Sequence, residues 1–404
     1  MSFDSKELFN LDPYHLYFDC AASPPPFKGV ISAVNDFLNS YGSIHRGKGK
    51  FSIKSSELFE NARNTIAAWI NATQDDVVTF VSNTTDAINQ VALSIDFTGY
   101  KNTVAILDIE HSSNVLPWLV NGANLLKIPV NSKSFSIDLN VLEEQINIHK
   151  NKLVLFSTAG IHNLTGQILP LEKVHEITQR YNIPLMIDGS QTAPHVRPSL
   201  SDCELLTFSG HKMYAPLGSG VLAGKKNLFQ TMGKRSTGGG NVHLITSDNV
   251  PFYKELPWRL ESGTPNGAGA IAIASAINIL SALGEDFITS HNNELSLAFF
   301  NLFSDEERIF PNSEAINLNV PHSPVLLFKP NKMSIQKFCS KLNPEYISYR
   351  EGTFCVYGLF HLLSGVDVKS LPIPETWKAV RFSAGLCTSK NDILKLKMLI
   401  DNVK

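Results

Sequence analysis

Cysteine is scarce: five in 404 residues, at positions 20, 203, 339, 355 and 387, with no C-x-x-C pair. That spacing excludes a disulfide-stapled framework, and it offers neither a zinc site nor a dithiol exchange motif. Charge of one sign is missing too. Lys and Arg number 35 against 37 Asp and Glu, a formal net charge of −2. Nothing there pulls the chain toward nucleic acid or an anionic membrane. Long apolar runs are also absent. The longest uncharged stretch, 266–284, is mostly Gly, Ala, Ser, Asn and Ile, which suits a closely packed helix better than a membrane span. The opening residues, MSFDSKELFN, carry no basic run ahead of an apolar core, so no secretory leader is expected. Gly (25) and Pro (21) are at ordinary levels, which excludes fibrous and low-complexity classes. The expectation is a cytoplasmic protein in a reducing compartment.

What remains is a chain that is 43% hydrophobic and 18% charged, enough to bury a large core. Short β-branched runs at Val77–Val81, Thr103–Leu107, Lys152–Ser157, Pro184–Ile187 and Leu205–Phe208 read as buried strands. Between them Thr85–Ile95, Leu139–Ile148 and Leu171–Tyr181 have helical spacing of apolar residues. The alternation predicts an α/β fold with a mostly parallel central sheet covered by helices. After about Gly284 the pattern loses its regularity. A large domain over 16–278 and a smaller α+β domain over 279–404 are expected, with segment 1–15 packing on the latter.

Ligands of open α/β sheets sit at the carboxyl ends of strands. The predicted ends deliver Ser82-Asn83-Thr84-Thr85-Asp86, Asp108-Ile109-Glu110-His111, Thr158 through Asn163, Asp188-Gly189-Ser190-Gln191 and Ser209-Gly210-His211-Lys212. Taken singly, these read as a helix cap, a turn and polar loops. Together they converge a lysine, a carboxylate, imidazoles, amides and hydroxyls on one rim. Pyridoxal 5'-phosphate asks for that set: a lysine for its Schiff base, a carboxylate for the pyridinium nitrogen, and a helix N-terminus with hydroxyls for the phosphate. Lys212 fits the first role and Asp188 the second; Thr84, Thr85, Ser209 and His211 fit the third. His111 is a candidate to stack on the ring, with Asn163 and Gln191 near its oxygen. No cluster has metal-ligand spacing.

The sequence resembles the class V (fold-type I) pyridoxal-phosphate enzymes, in the cysteine desulfurase and selenocysteine lyase branch. The resemblance rests on Tyr17 to Ser23 (YFDCAAS), His45-Arg46-Gly47, SNTTDAIN from Ser82, and Glu110 to Trp118 (EHSSNVLPW). It continues through Asp188 to Gln191, FSGHKMYAP from Phe208, WRLESGTPN from Trp258, Arg350 to Cys355 (REGTFC) and Val380-Arg381-Phe382-Ser383. It implies that Lys212 carries the cofactor, that His111 also moves protons, and that Thr264 reaches a phosphate in a second subunit, making a homodimer. It further implies that Arg381 clamps the substrate carboxylate, with Arg350 and Arg46 as further substrate-binding candidates. Cys355, in an R-x-G-x-x-C element, matches the cysteine that takes the substrate sulfur as a persulfide and passes it to an acceptor, such as a protein. Read without the resemblance, Cys355 between Phe354 and Val356 is equally a small buried hydrophobe. The implied activity is conversion of L-cysteine to L-alanine. Selenocysteine lysis, another C–S lysis, epimerisation or transamination are the alternatives in which Cys355 is not the nucleophile. Segment 356–374, which includes Asp367, departs from the branch: no small residue and proline follow Cys355.

Overall fold

The computed structural model describes residues 5–216, 218–231, 237–366 and 368–403; Asp367 and the outermost residues of the expected domains lie outside them. Strands β2 (Asp76–Val81), β3 (Thr103–Leu107), β4 (Asn124–Ile128), β5 (Leu153–Ala159), β6 (Leu185–Asp188), β7 (Leu205–Ser209) and β8 (Gly220–Lys225) follow a short β1 (Leu16–Tyr17). They form one seven-stranded sheet in the order β2-β8-β7-β6-β5-β3-β4. The pairs β3–β4, β3–β5, β5–β6 and β6–β7 are parallel, while β8 runs antiparallel to both β2 and β7. The five strands read from the sequence are all present. They are not contiguous, however, because β8 enters between β2 and β7.

Both faces of the sheet are covered, which is why its strands read as continuous apolar runs. All five residues of β3 are buried. Val104 and Ile106 enter one core with Ile88, Trp118 and Phe229, whereas Ala105 and Leu107 enter the opposite core with Ile66, Leu142 and Ile273. The covering helices of the first two-thirds of the chain are α1 (Lys28–Asn39), α2 (Lys50–Trp69), α3 (Thr84–Leu93), α4 (Leu116–Val120), α5 (Leu139–His149), α6 (Leu171–Arg180), α7 (Lys226–Thr231) and α8 (Gly267–Leu283). The uncharged stretch is therefore a packed helix, α8. Its small residues let α1 approach, since a Cβ on Gly267 would lie 2.7 Å from the Phe37 ring. No single helix among the described residues is long and apolar enough to cross a membrane.

The chain changes core at Gly284, where α8 gives way to α9 (Glu285–Leu302) at a bend of 84°. Beyond it lie β11 (Arg308–Phe310), β12 (Val325–Phe328), β14 (Arg350–Gly352) and β15 (Ala379–Ser383), a four-stranded antiparallel sheet in the order β11-β12-β15-β14. A second core, with Phe299, Leu326, Phe338, Phe382 and Ile393, backs it. The N-terminal segment is divided between the two cores: Phe9 is buried in the first, against Phe27 and Tyr214, whereas β1 pairs with β13 (Ile347–Ser348), Phe18 is buried in the second, and the Lys6 amine lies 2.9 Å from Asp392. Between α7 and α8 a hairpin, β9 (Val242–Ile245) and β10 (Pro251–Tyr253), stands out from the body. Short helices α10 (Ser313–Asn317) and α11 (Ile335–Cys339), then α12 (Tyr357–Ser364) and α13 (Lys390–Val403), complete the chain.

Candidate active site

The carboxyl ends of β2, β3, β5, β6 and β7 open on one edge of the sheet, and the second core supplies the facing wall. Asn83 caps α3 by accepting from the Asp86 amide at 2.9 Å. This sets the first turn of α3 at the end of β2, with its unpaired N–H groups toward the rim. Gly220 permits the close approach, because a Cβ there would lie 2.9 Å from both Asn83 Cα and the Phe208 carbonyl.

Beneath that turn three hydroxyls interlock. Ser190 Oγ donates to Thr84 Oγ1 at 2.7 Å, and Ser209 Oγ donates to it at 3.0 Å while accepting from the Thr84 amide at 2.9 Å. Thr84 Oγ1 therefore already accepts twice, leaving its own proton for a ligand. Thr85 is exposed and shares a hydrogen bond of 2.8 Å with Ser113. His211 stands nearby on the turn after β7; burial, helped by the Lys212 charge, pushes its pKa down to about 4.

Lys212 ends that same turn, and its amine makes no hydrogen bond or ion pair with the described residues. Burial lowers its pKa, opposed by Asp188 and reinforced by Arg381 and Arg350. Asp188, at the end of β6, is buried and accepts from the Ser190 amide at 2.9 Å. His111 Nδ1 accepts from the Ser113 amide at 3.1 Å, which leaves the ring proton on Nε2. Burial and the Lys212 charge hold His111 down at about 4, so the imidazole is neutral near pH 7. Gln191 is buried and donates to the Ala21 carbonyl at 2.6 Å.

The facing wall is built on Arg381 from β15. It is 3% exposed and donates to the Asn163 carbonyl at 3.1 Å and to Asp19 Oδ1 at 3.3 Å. Its Nε is buried without a partner, and its guanidinium lies over the Phe354 ring, 5.1 Å from the centroid. The other Asp19 oxygen takes Arg350 at 3.0 Å. Asn163 bonds the Phe354 carbonyl at 3.4 Å. Cys355 is exposed, and both it (φ 58°) and Phe354 (φ 53°) are left-handed. Its carbonyl accepts from the Ser112 amide at 2.8 Å, so the cysteine sits beside His111. Behind it α12 lies flush on the 108–111 turn, where a Cβ on Gly358 would come 1.7 Å from the Asp108 carbonyl.

The structure thus brings together Lys212, Asp188, His111, Thr84, Thr85, Ser209, His211, Gln191, Asn163, Arg381, Arg350 and Cys355. Two candidates stand apart in the same chain. Thr264 is exposed at a separate cleft of about 650 Å³ lined by Asp86, Asn89 and Asn266. Arg46 is exposed on the Gly240 and Gly263 loops. Asp19 was missed as a site residue, although it lies in the quoted YFDCAAS run; its job depends on the bridge to Ser383 that brings β15 alongside. Cys20, the other cysteine near the site, is buried with its Sγ 3.3 Å from that of Cys387. The lone amine, the carboxylate opposite it, the helix N-terminus with a spare hydroxyl proton and the unpaired guanidinium N–H fit a phosphorylated pyridine aldehyde together with an amino acid.

The family model described as Aminotransferase class-V matches residues 16–396. A probable cysteine desulfurase of Borreliella burgdorferi is 32% identical over 358 residues, 86% of this chain and 84% of that protein. One of Halalkalibacterium halodurans is 34% identical over 290 residues, 70% of each. Among solved structures, a cysteine desulfurase of Escherichia coli superposes with a TM-score of 0.84 at 25% identity, covering 100% of this chain and 99% of that one. A cysteine desulfurase of Thermococcus onnurineus shares the fold with a TM-score of 0.88 at 24% identity, covering 99% of this chain and 97% of that one.

Proposed function

This chain belongs to the class V aminotransferase family, and from that premise we propose that it is a pyridoxal-phosphate-dependent cysteine desulfurase. The observation that carries the reading is the exposed Cys355 held beside His111 while its neighbour Phe354 covers the Arg381 guanidinium. A nucleophilic thiol and a carboxylate clamp are thereby joined in one strap. Lys212 would hold the cofactor covalently, with Asp188 at its ring nitrogen and His111 over its face. Thr84, Thr85, Ser209 and His211 would take the phosphate, and Asn163 and Gln191 would approach the ring oxygen. When bound, pyridoxal phosphate supplies an electron sink for the substrate Cα.

The chain's own groups do the rest. Arg381 takes the substrate α-carboxylate with its planar guanidinium, which Asp19 and the Asn163 carbonyl hold in orientation. Lys212, its proton affinity lowered by burial, takes the α-proton. Cys355 attacks the substrate sulfur: the substrate Cβ–S bond breaks, an S–S bond forms on Cys355, and Cβ is finally protonated. His111, neutral with its proton on Nε2, is placed to supply a proton. The balance is L-cysteine plus enzyme thiol giving L-alanine plus enzyme persulfide. Two equivalents of an external thiol, or an acceptor protein, then recover the thiol.

Thr264 and Arg46 lie apart from Lys212 of their own chain, and the β9–β10 hairpin exposes Leu244, Ile245, Phe252 and Tyr253. Both facts support a homodimer in which a second copy covers this face and Thr264 serves the neighbouring phosphate. The deciding assay is release of alanine and sulfide from L-cysteine with a reductant, for wild type, Cys355→Ala and Lys212→Ala. Equal yields, abolished by either substitution, are expected. Activity that survives loss of Cys355 would reject the nucleophile and favour another lyase.

A further inference from the structure

Glu110 is a buried carboxylate that the chemistry above leaves without a task. It is 4% exposed and adjoins His111 in the chain. Its Oε1 accepts from Thr158 Oγ1 at 2.7 Å and from the Ala159 amide at 3.0 Å; its Oε2 accepts from Asn114 Nδ2 at 3.0 Å. The amide oxygen of Asn114 is in turn fixed, accepting from Trp118 Nε1 at 3.1 Å and from Ser157 Oγ at 2.5 Å. Asn114, Trp118, Ser157 and Thr158 are all fully buried. The network therefore ties the 108–114 turn to the last residues of β5, and Ala159 is the register partner of Asp188 on β6. A carboxylate at this point costs solvation energy that an apolar side chain would not, yet the surrounding groups present donors to it.

We propose that Glu110 is a positioning residue: as an acceptor-only group it locks the turn that carries His111 to the carboxyl ends of β5 and β6, and so fixes the imidazole against the cofactor. The direction of the donors makes the demand specific. An amide at position 110 would set its NH2 against Asn114 Nδ2 in one orientation and against the Ala159 N–H in the other, and Asn114 cannot flip without losing both Trp118 and Ser157. Burial pushes the Glu110 carboxyl up to about 7, against the pull of Asn114, Thr158 and Ala159 and helped by the Asp188 charge. The titratable and charged groups at this turn are Asp188 from β6, His162 through its bond to the Ile109 carbonyl, Asp108 with Lys127 of β4 beside it, and His111 itself, which faces Lys212 and Arg381. Protonation below neutrality should thus loosen the lock. The inference rests on the desulfurase reading only in assigning His111 to the cofactor face.

The test compares three holoenzymes: wild type, Glu110→Gln, and Glu110→Gln combined with Asn114→Asp. The double substitution exchanges carboxylate and amide across the same bond and restores every donor to an acceptor. Alanine formation and the Trp118 indole N–H resonance, assigned through Trp118→Phe, are followed from pH 5.5 to 8.5. Expected are a kcat loss of tenfold or more in Glu110→Gln with KM within threefold, recovery of at least half of that loss on a logarithmic scale in the double variant, and a Trp118 resonance that titrates near pH 7 in wild type but not in Glu110→Gln. A kcat within twofold of wild type in Glu110→Gln overturns the proposal. So does a double variant no better than the single one, which would assign the effect to charge beside Asp188. If wild type makes no alanine, the desulfurase reading fails, and the Trp118 resonances of the three proteins still decide the lock.

Discussion

Arg381 is buried with five N–H donors, of which two are matched, one by the Asn163 carbonyl and one by Asp19. Such a group is expensive to bury unless a ligand completes it. Arg381→Lys should therefore raise KM for L-cysteine roughly 10- to 100-fold, the equivalent of one lost charge-assisted bond of about 1.5–3 kcal/mol; an unchanged KM would dissociate Arg381 from the carboxylate. Histidines give a second prediction. Burial holds His111, His162, His195 and His211 at about 4, against 6.5 when exposed. Folded-state values below the unfolded value mean that the unfolded chain binds more protons in this window. Their stabilising contribution is full above pH 6.5 and is lost as pH falls toward 4. Glu110, raised to about 7, and Asp108, also raised by burial, work in the opposite sense, but two groups are set against five once His322, likewise lowered by burial, is counted. The thermal midpoint of the protein should fall steadily from pH 6.5 to 4; a flat profile would contradict the neutral imidazoles. Lys212, Asp188 and His111 were legible in the sequence because each ends a predictable strand. Asp19 was not, because its two arginine partners, at 350 and 381, come from the far end of the chain.

Among the elements, α12 has the tightest seat. The approach of Gly358 to the Asp108 carbonyl leaves no space for a methyl group, so Gly358→Ala must lift α12 from the turn and carry Cys355 with it. Cofactor uptake, read from its visible absorbance, should stay within twofold while alanine formation falls tenfold or more; an unaffected rate would mean that the seat of α12 does not position the thiol. Elements with strong patterning were read well: β3 was bounded to the residue, and α3, α5 and α6 to within two residues at either end. Within the seven-stranded sheet the strands missed were β4, whose Asn124 and Lys127 dilute its apolar run, and β8, whose two glycines weaken its pattern. Missing β8 concealed the one antiparallel member of the sheet, and with it the close contact that seats α3.

At the scale of the molecule, the site is shared between two cores: Lys212, Asp188 and His111 come from the seven-stranded sheet, Arg381, Arg350 and Cys355 from the second core and its strap. The exposed apolar face of the β9–β10 hairpin predicts association, so sedimentation should return twice the 44.6 kDa chain mass. A single-chain mass would remove Thr264 from any neighbouring site. Whatever sulfur the enzyme collects must finally leave this shared interior, and the wrong-handed backbone at Phe354 and Cys355 bears on that departure. Each left-handed residue costs roughly 1–2 kcal/mol relative to its relaxed geometry. The Ser112 bond and the Phe354–Arg381 contact hold the tip in that posture. Once these holds let go, the tip unwinds toward lower energy. It is a set spring: part of the work of freeing a loaded tip is already stored in its backbone.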